Sequence, residues 1–269
     1  MGSGVLLGAG APSSRPHAPH RPRPLPLPSP PRRGRGTASN VMLDLDVIWR
    51  NLPFLMIQGF LGFGNFAGGT LRLAIPSIVL GFLLGIFIGI GRLAPQRWIR
   101  MPATLYVEFF RGVPLVMVIF WMWFIIPIVL KTAIPEFGVA LTAFVIFEAA
   151  YLGEIVRAGI QSVPRGQVEA ATAVGLNGAQ TMRHVVLPQA LKNMIPSLVT
   201  QFIVLFKDTS LASIIGFMDL TKAAQVVNNR EVRPFALYLF IAVVYWVCTY
   251  AMSRYARHVE KTLSPQASS

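Results

Sequence analysis

Leu73-Ala-Ile-Pro-Ser-Ile-Val-Leu-Gly-Phe-Leu-Leu-Gly-Ile-Phe-Ile-Gly-Ile-Gly91 contains no charged side chain, and its length matches the roughly 20 residues a helix needs to cross a bilayer. Uncharged runs recur from Val113 to Leu130 and from Pro234 to Ser253, and two further apolar runs carry a few charges. The pattern predicts an all-α chain, a polytopic membrane helix bundle of about five transmembrane helices at 71–91, 105–130, 137–158, 194–217 and 234–253. The stretch 52–69 is apolar too, but Pro53, Gly62, Gly64, Gly68 and Gly69 are weak helix formers. It therefore reads as an interfacial segment rather than a sixth span.

Composition agrees. Of the 269 residues 54% are hydrophobic and 13% charged, against roughly 25% charged in an average soluble domain. The formal charge of +13 could suggest nucleic acid, but the positions of the cations speak against it. Arg15, Arg21, Arg23, Arg32, Arg33 and Arg35 fall in a Pro/Arg/Ser-rich stretch, and many of the rest flank apolar runs. Residues 1–41 read as disordered, or as an over-read extension with Met42 as the true start. Residues 42–70 then form a lead-in, 71–258 the membrane domain and 259–269 a tail. Cys248 is the single cysteine, so no disulfide or thiolate metal site forms within one chain.

Cations near the spans set the orientation. With the loop after the third span inside, the inner segments hold Arg92, Arg97, Arg100, Arg157, Arg165, Arg183, Lys192, Arg254, Arg257 and Lys261, and the outer ones Lys131, Lys222, Arg230 and Arg233. This excess places that loop and the C-terminus in the cytoplasm.

The loop itself, 161–193, is too structured for a passive connector. Glu169, Ala170 and Ala171 are good helix formers, Gly175 can end a helix in a left-handed turn, and Pro188 marks a further boundary after Leu187. The result is a short exposed helix, a bend and a second helix returning to the membrane. Such a hairpin either lies on lipid or docks another protein, and composition does not separate the two.

The spacing Glu169-Ala170-Ala171, Gly175, Val185-x-Leu187-Pro188 resembles the EAA loop in membrane subunits of binding-protein-dependent ABC importers, with Val185 in place of isoleucine. A second Glu-Ala-Ala at Glu148 has the wrong spacing to a following glycine. Tyr151-Leu-Gly-Glu-Ile-Val-Arg-Ala-Gly-Ile-Gln-Ser-Val, Val185-Val-Leu-Pro-Gln-Ala-Leu and Phe206-Lys-Asp-Thr-Ser-Leu are similar to the polar amino acid permeases, and Phe110-Arg-Gly-Val-Pro-Leu-Val-Met-Val to glutamate/aspartate permease subunits. The resemblance covers about Asp44 to Lys261. It implies that Glu169, Ala170, Ala171, Gly175, Leu187 and Pro188 couple to two copies of a separate ATPase. It also implies a second permease, identical or homologous, an extracytoplasmic amino-acid-binding protein, and an inner-membrane location.

The chain carries no Gly-x4-Gly-Lys-Ser/Thr loop, no His-Glu-x-x-His and no Gly-x-Ser-x-Gly, so nucleotide hydrolysis is expected elsewhere, with no cofactor or metal in this subunit. Charges in or near spans cost roughly 2.5–3.5 kcal/mol each at a helix centre and should face protein or a wet path. Lys207, Asp208, Glu154 and Arg111 are the candidates for a substrate path. Lys207 and Asp208 point about 100° apart, so they either stay available for a zwitterionic solute or lock the fourth span to its neighbours. Glu108 with Arg111, and Glu154 with Arg157, have the spacing of pairs within one helix. Gly81, Gly85 and Gly89 form a small-residue stripe for helix packing, within the chain or at a subunit contact. Phe120 to Phe124 read as bulk facing lipid or a partner. A self-sufficient ion-coupled carrier is the rival reading, and it requires internal repeats that the chain does not show.

Overall fold

The computed structural model describes residues 45–63 and 68–263, and among them every regular element is helical. Residues 1–41, read above as disordered or over-read, lie outside the described residues. Helix α1 (Leu45–Pro53) runs into a π-helical segment, Phe54–Leu61. Then follow α2 (Thr70–Leu93), α3 (Arg97–Gly112), α4 (Leu115–Leu130), α5 (Glu136–Gln161), α6 (Arg165–Ala173), α7 (Gly178–Thr181), a π-turn Met182–Val186, α8 (Leu187–Asp208), a 3-10 turn Thr209–Ile215, α9 (Leu220–Glu231) and α10 (Pro234–Leu263).

Four helices are long and apolar enough to cross a membrane, namely Thr70–Leu93, Glu136–Gln161, the continuous Gly178–Ile215 and Pro234–Val259. The expected second span, 105–130, is not one helix. It is broken between α3 and α4, whose axes differ by 108°. Pro114 has no N–H to give and its ring pushes Val113 into extended backbone (φ −110°, ψ 139°). Hydropathy alone runs straight across this break.

Helices α2 and α5 fix the course of the chain. A Cβ added at Gly81 would lie 3.2 Å from the Glu148 Cβ, one at Gly85 2.9 Å from the Leu152 Cβ, and one at Gly89 2.9 Å from the Val156 Cβ. The residue numbers rise together, so α2 and α5 are parallel and their backbones touch along a glycine seam completed by Gly153. The intervening chain must therefore return from one side to the other, and the bent α3–α4 pair is that fifth crossing. The stripe is spent inside the chain rather than on a subunit contact.

Helix α8 runs antiparallel to α5, with Gln201 bonded to Glu148 (2.9 Å), Met194 wedged against Gly159 and Asn193 bonded to Ser162 (2.8 Å). Its helix starts well before the expected residue 194. Pro188, expected as a boundary, sits in the first turn of α8 directly after the π-turn Met182–Val186, within the continuous Gly178–Ile215 run. The expected fifth span likewise continues as helix past residue 253, to Leu263.

The lead-in is docked, not loose. Arg230 donates to Asn51 Oδ1 (2.5 Å) and Arg50 to Glu231 (3.4 Å), while Gly59 packs on Ala223. Together α1 and the π segment cover 45–61, short of a full span. Gly69, with φ +111°, lets the chain enter α2 while its N–H bonds the Met218 carbonyl (2.8 Å). Asp219 caps α9 by accepting from Thr221 N and Lys222 N (3.1 and 2.8 Å). It is fully buried, and desolvation pushes its carboxyl up to about 6 despite those bonds.

Candidate functional site

After α5 the chain turns at Ser162–Pro164 and α6 stands out from the bundle. Glu169 and Ala170 are exposed, and Val174 is 78% exposed at the tip. Gly175 ends the helix with φ +89°. The Leu176 N–H reaches back to the Ala171 carbonyl (3.1 Å) and that of Gly175 to Thr172 (3.0 Å), the two bonds of a Schellman termination. Two residues on, Asn177 caps α7 through a reciprocal pair with Gln180, both bonds 2.9 Å. The bend is thus fixed from both sides by hydrogen bonds. The Asn177-x-x-Gln180 spacing is a legible capping box that sequence reasoning passed over.

Of the six residues expected to couple to an ATPase, Glu169, Ala170, Gly175, Leu187 and Pro188 are exposed, Leu187 and Pro188 at the start of α8. Ala171 differs from these five. It is buried, as are Thr181 and Val186 of the returning helical limb of the hairpin, on which α6 rests.

Beneath the loop lies an ionic cluster. Glu154 of α5 accepts from Arg157 at 3.0 and 2.5 Å, is bonded by Arg92 at the end of α2, and lies 3.9 Å from Arg111 at the end of α3. One carboxylate thus joins three helix ends. Arg111, whose side chain is 45% exposed, pairs here rather than with Glu108 and also covers the Tyr151 ring at 5.6 Å. The expected Glu108–Arg111 pair is therefore absent, because Glu154 gathers guanidiniums from several elements. The Glu154–Arg157 pair forms as its spacing predicts, whereas Arg92 was read only as a topological charge and its role needed the tertiary fold. An open cleft of about 260 Å³ runs between α5 and α8 beside this cluster, lined by Glu154, Ser162, Asn193, Met194 and Ser197.

Lys207 and Asp208 end α8 at the far side of the bundle, Lys207 exposed and Asp208 half-buried, and neither makes an ion pair within 4 Å among the described residues. Glu148, the start of a misplaced Glu-Ala-Ala and one of the charges within a span, is fully buried between α2, α5 and α8 with Gln201 on one oxygen. In the aromatic run, Met122 and Trp123 pack on the core while Trp121 and Phe124 are exposed. No group of three or more metal-ligating side chains forms among the described residues.

Residues 77–265 match the family described as binding-protein-dependent transport system inner membrane component. The inner membrane amino-acid ABC transporter permease protein YhdY of Escherichia coli K12 is 37% identical over 244 residues, 85% of this chain and 65% of that protein. The glutamate/aspartate import permease protein GltK of Escherichia coli O6:H1 is 38% identical over 71% of this chain and 89% of its own length. The probable glutamine ABC transporter permease protein GlnP of Bacillus subtilis is 40% identical over 71% and 88%. Among solved structures, an amino acid ABC transporter with histidines superposes with a TM-score of 0.74 at 34% identity, over 81% of this chain and 97% of that one. An inward-facing MetNI methionine transporter shares the fold at 18% identity and a TM-score of 0.58.

Proposed function

Because the chain belongs to the binding-protein-dependent transport system inner membrane components, a family of membrane subunits rather than enzymes, we propose that it is a permease of an ATP-driven importer of polar amino acids. The carrying observation is the α6 hairpin, a helix held clear of the bundle with Glu169 and Ala170 exposed on it and with its bend locked by the Gly175 and Asn177 turns. Glu169, Ala170 and Gly175 form the contact with a separate ATPase, present in two copies, and Leu187 and Pro188 border it. The loop and the C-terminus face the cytoplasm, in line with the excess of arginine at that end. A second permease, identical or homologous, completes the path, and an extracytoplasmic binding protein delivers the solute.

Within this reading Lys207 and Asp208 lie on the solute path. Glu154 and Arg111 border it at the inner end, where the ion cluster fastens three helices. Glutamate and aspartate are the cargo we propose first, on the relationship to the glutamate/aspartate permease; relatives named for glutamine make it the first competitor to test.

The test is ATP-dependent uptake by the reconstituted complex, with unlabelled glutamate, aspartate, glutamine and basic amino acids as competitors. Glu169→Ala and Gly175→Val should abolish uptake while the protein still inserts. Full uptake by both variants would refute the docking role, and uptake driven by an ion gradient without ATP would refute the importer. Competition by glutamine but not glutamate would remove the acidic cargo alone.

A further inference from the structure

Helix α3 has two apolar faces, and the fold uses one. Val107 and Ala103 turn inward against α5 and α2, and the Tyr106 hydroxyl donates to the Ile146 carbonyl (2.5 Å). On the other side Trp98, Met101, Leu105 and Phe109 form a stripe at helical spacing, every one exposed, with Trp98 at 76%. A groove of about 550 Å³ runs along this side, lined by Arg100, Met101, Pro102, Thr104, Leu105 and Glu108.

The inner end of the stripe is cationic. Arg97 makes only a 3.4 Å contact with the Met101 sulfur, and Arg100 only a 3.4 Å bond to the Ala94 carbonyl. Neither has a carboxylate within ion-pair distance among the described residues. Trp98, between them, has the amphipathic ring that collects at headgroup level.

We propose that this face of α3 is a binding site for an anionic phospholipid, with the phosphate at Arg97 and Arg100 and an acyl chain along Met101 and Leu105 in the groove. Charge complementarity selects this occupant over a second copy of the chain. Of the described carboxylates nearby, Glu154 is already paired with three arginines, Glu169 is out on the docking helix, and Glu108 lies in the groove wall about two turns beyond Arg100. A second copy would bring one described carboxylate to this face, Glu108, together with two further arginines of its own, whereas an anionic leaflet presents phosphates at that depth. The site is independent of which solute is carried.

The test uses the full assembled complex in bilayers containing lipids brominated on their acyl chains, which quench tryptophan on contact. The Trp98 signal is the difference between the wild type and Trp98→Phe. Brominated phosphatidylglycerol should quench it at least two-fold more than brominated phosphatidylcholine at the same mole fraction. Arg97→Gln with Arg100→Gln should remove that preference and leave quenching by phosphatidylcholine intact. Equal quenching by both lipids in the wild type would overturn the anionic site. No quenching by either would show that protein covers this face.

Discussion

Gly89→Ala puts a number on the α2–α5 seam. The added methyl would sit 2.6 Å from the Gly153 carbonyl oxygen and 2.9 Å from both Cβ and Cγ1 of Val156. Carbon pairs settle at about 3.5–4.0 Å, so the helices would have to part by roughly 0.6–1.1 Å. Neither obstacle can swing away, since one is backbone and the other a β-branched side chain. Overpacking of this kind costs about 1–3 kcal/mol, and a fixed obstacle belongs at the upper end. Alanine returns about 1 kcal/mol of helix propensity over glycine. The net loss should be about 2 kcal/mol. Gly166 on α6 is the control, because nothing lies within 4 Å of its added Cβ; Gly166→Ala keeps the propensity gain of up to about 1 kcal/mol. Unfolding in mixed micelles by increasing dodecyl sulfate, followed by circular dichroism, should separate the two variants by about 3 kcal/mol. Equal stabilities would show that α2 does not lie against α5 in this register.

Three other outcomes are expected. Glu154→Gln should cost about 2–3 kcal/mol in the same assay by leaving three guanidiniums without their anion, while Arg111→Gln, loosest and most exposed, should cost under about 1 kcal/mol; a reversed order would refute the cluster as described. Gly175→Val puts a β-branched residue at φ +89°, so the loop should lose about 1–2 kcal/mol, read as faster amide exchange at Leu176; unchanged exchange would contradict the Schellman turn. Asp219, whose carboxyl is raised from its usual 3.8 to about 6, holds its proton more tightly folded than unfolded. Stability should therefore fall as pH rises from about 4 to above 6, by up to about 3 kcal/mol. Asp219→Asn preserves the helix cap and should match the wild type near pH 4 and exceed it at pH 7. Parallel curves would rule out a buried ionising Asp219.

The uncharged run from Leu73 to Gly91 was enough to place α2, since lipid admits a long apolar helix and little else. Gly175 likewise announced the end of α6, because few other residues adopt its backbone angles. What escaped was set by geometry or by distance in sequence. The sequence Gly112-Val113-Pro114 was in plain view, but a hydropathy reading counts side chains and does not see a lost N–H. Arg111 was paired locally with Glu108 by the three-residue rule, whereas its real partner lies 43 positions on, brought close by α2 and α5 running parallel. Ala171 looks like Ala170 in composition; only the turn back to Val186 decides which of them faces inward.

The unbroken helix from Gly178 to Ile215 has a mechanical consequence. At 1.5 Å per residue, the arm from Gly178 to the Met194–Gly159 contact is about 24 Å and the arm from Met194 to Lys207 about 20 Å. With Met194 seated so closely on Gly159, that contact is a natural fulcrum. A sideways push of about 3 Å at the loop end then appears as roughly 2.5 Å of opposite travel at Lys207, by the ratio of those arm lengths. A rigid arm of these proportions would carry a stroke across the bundle at nearly full size and with its sense reversed.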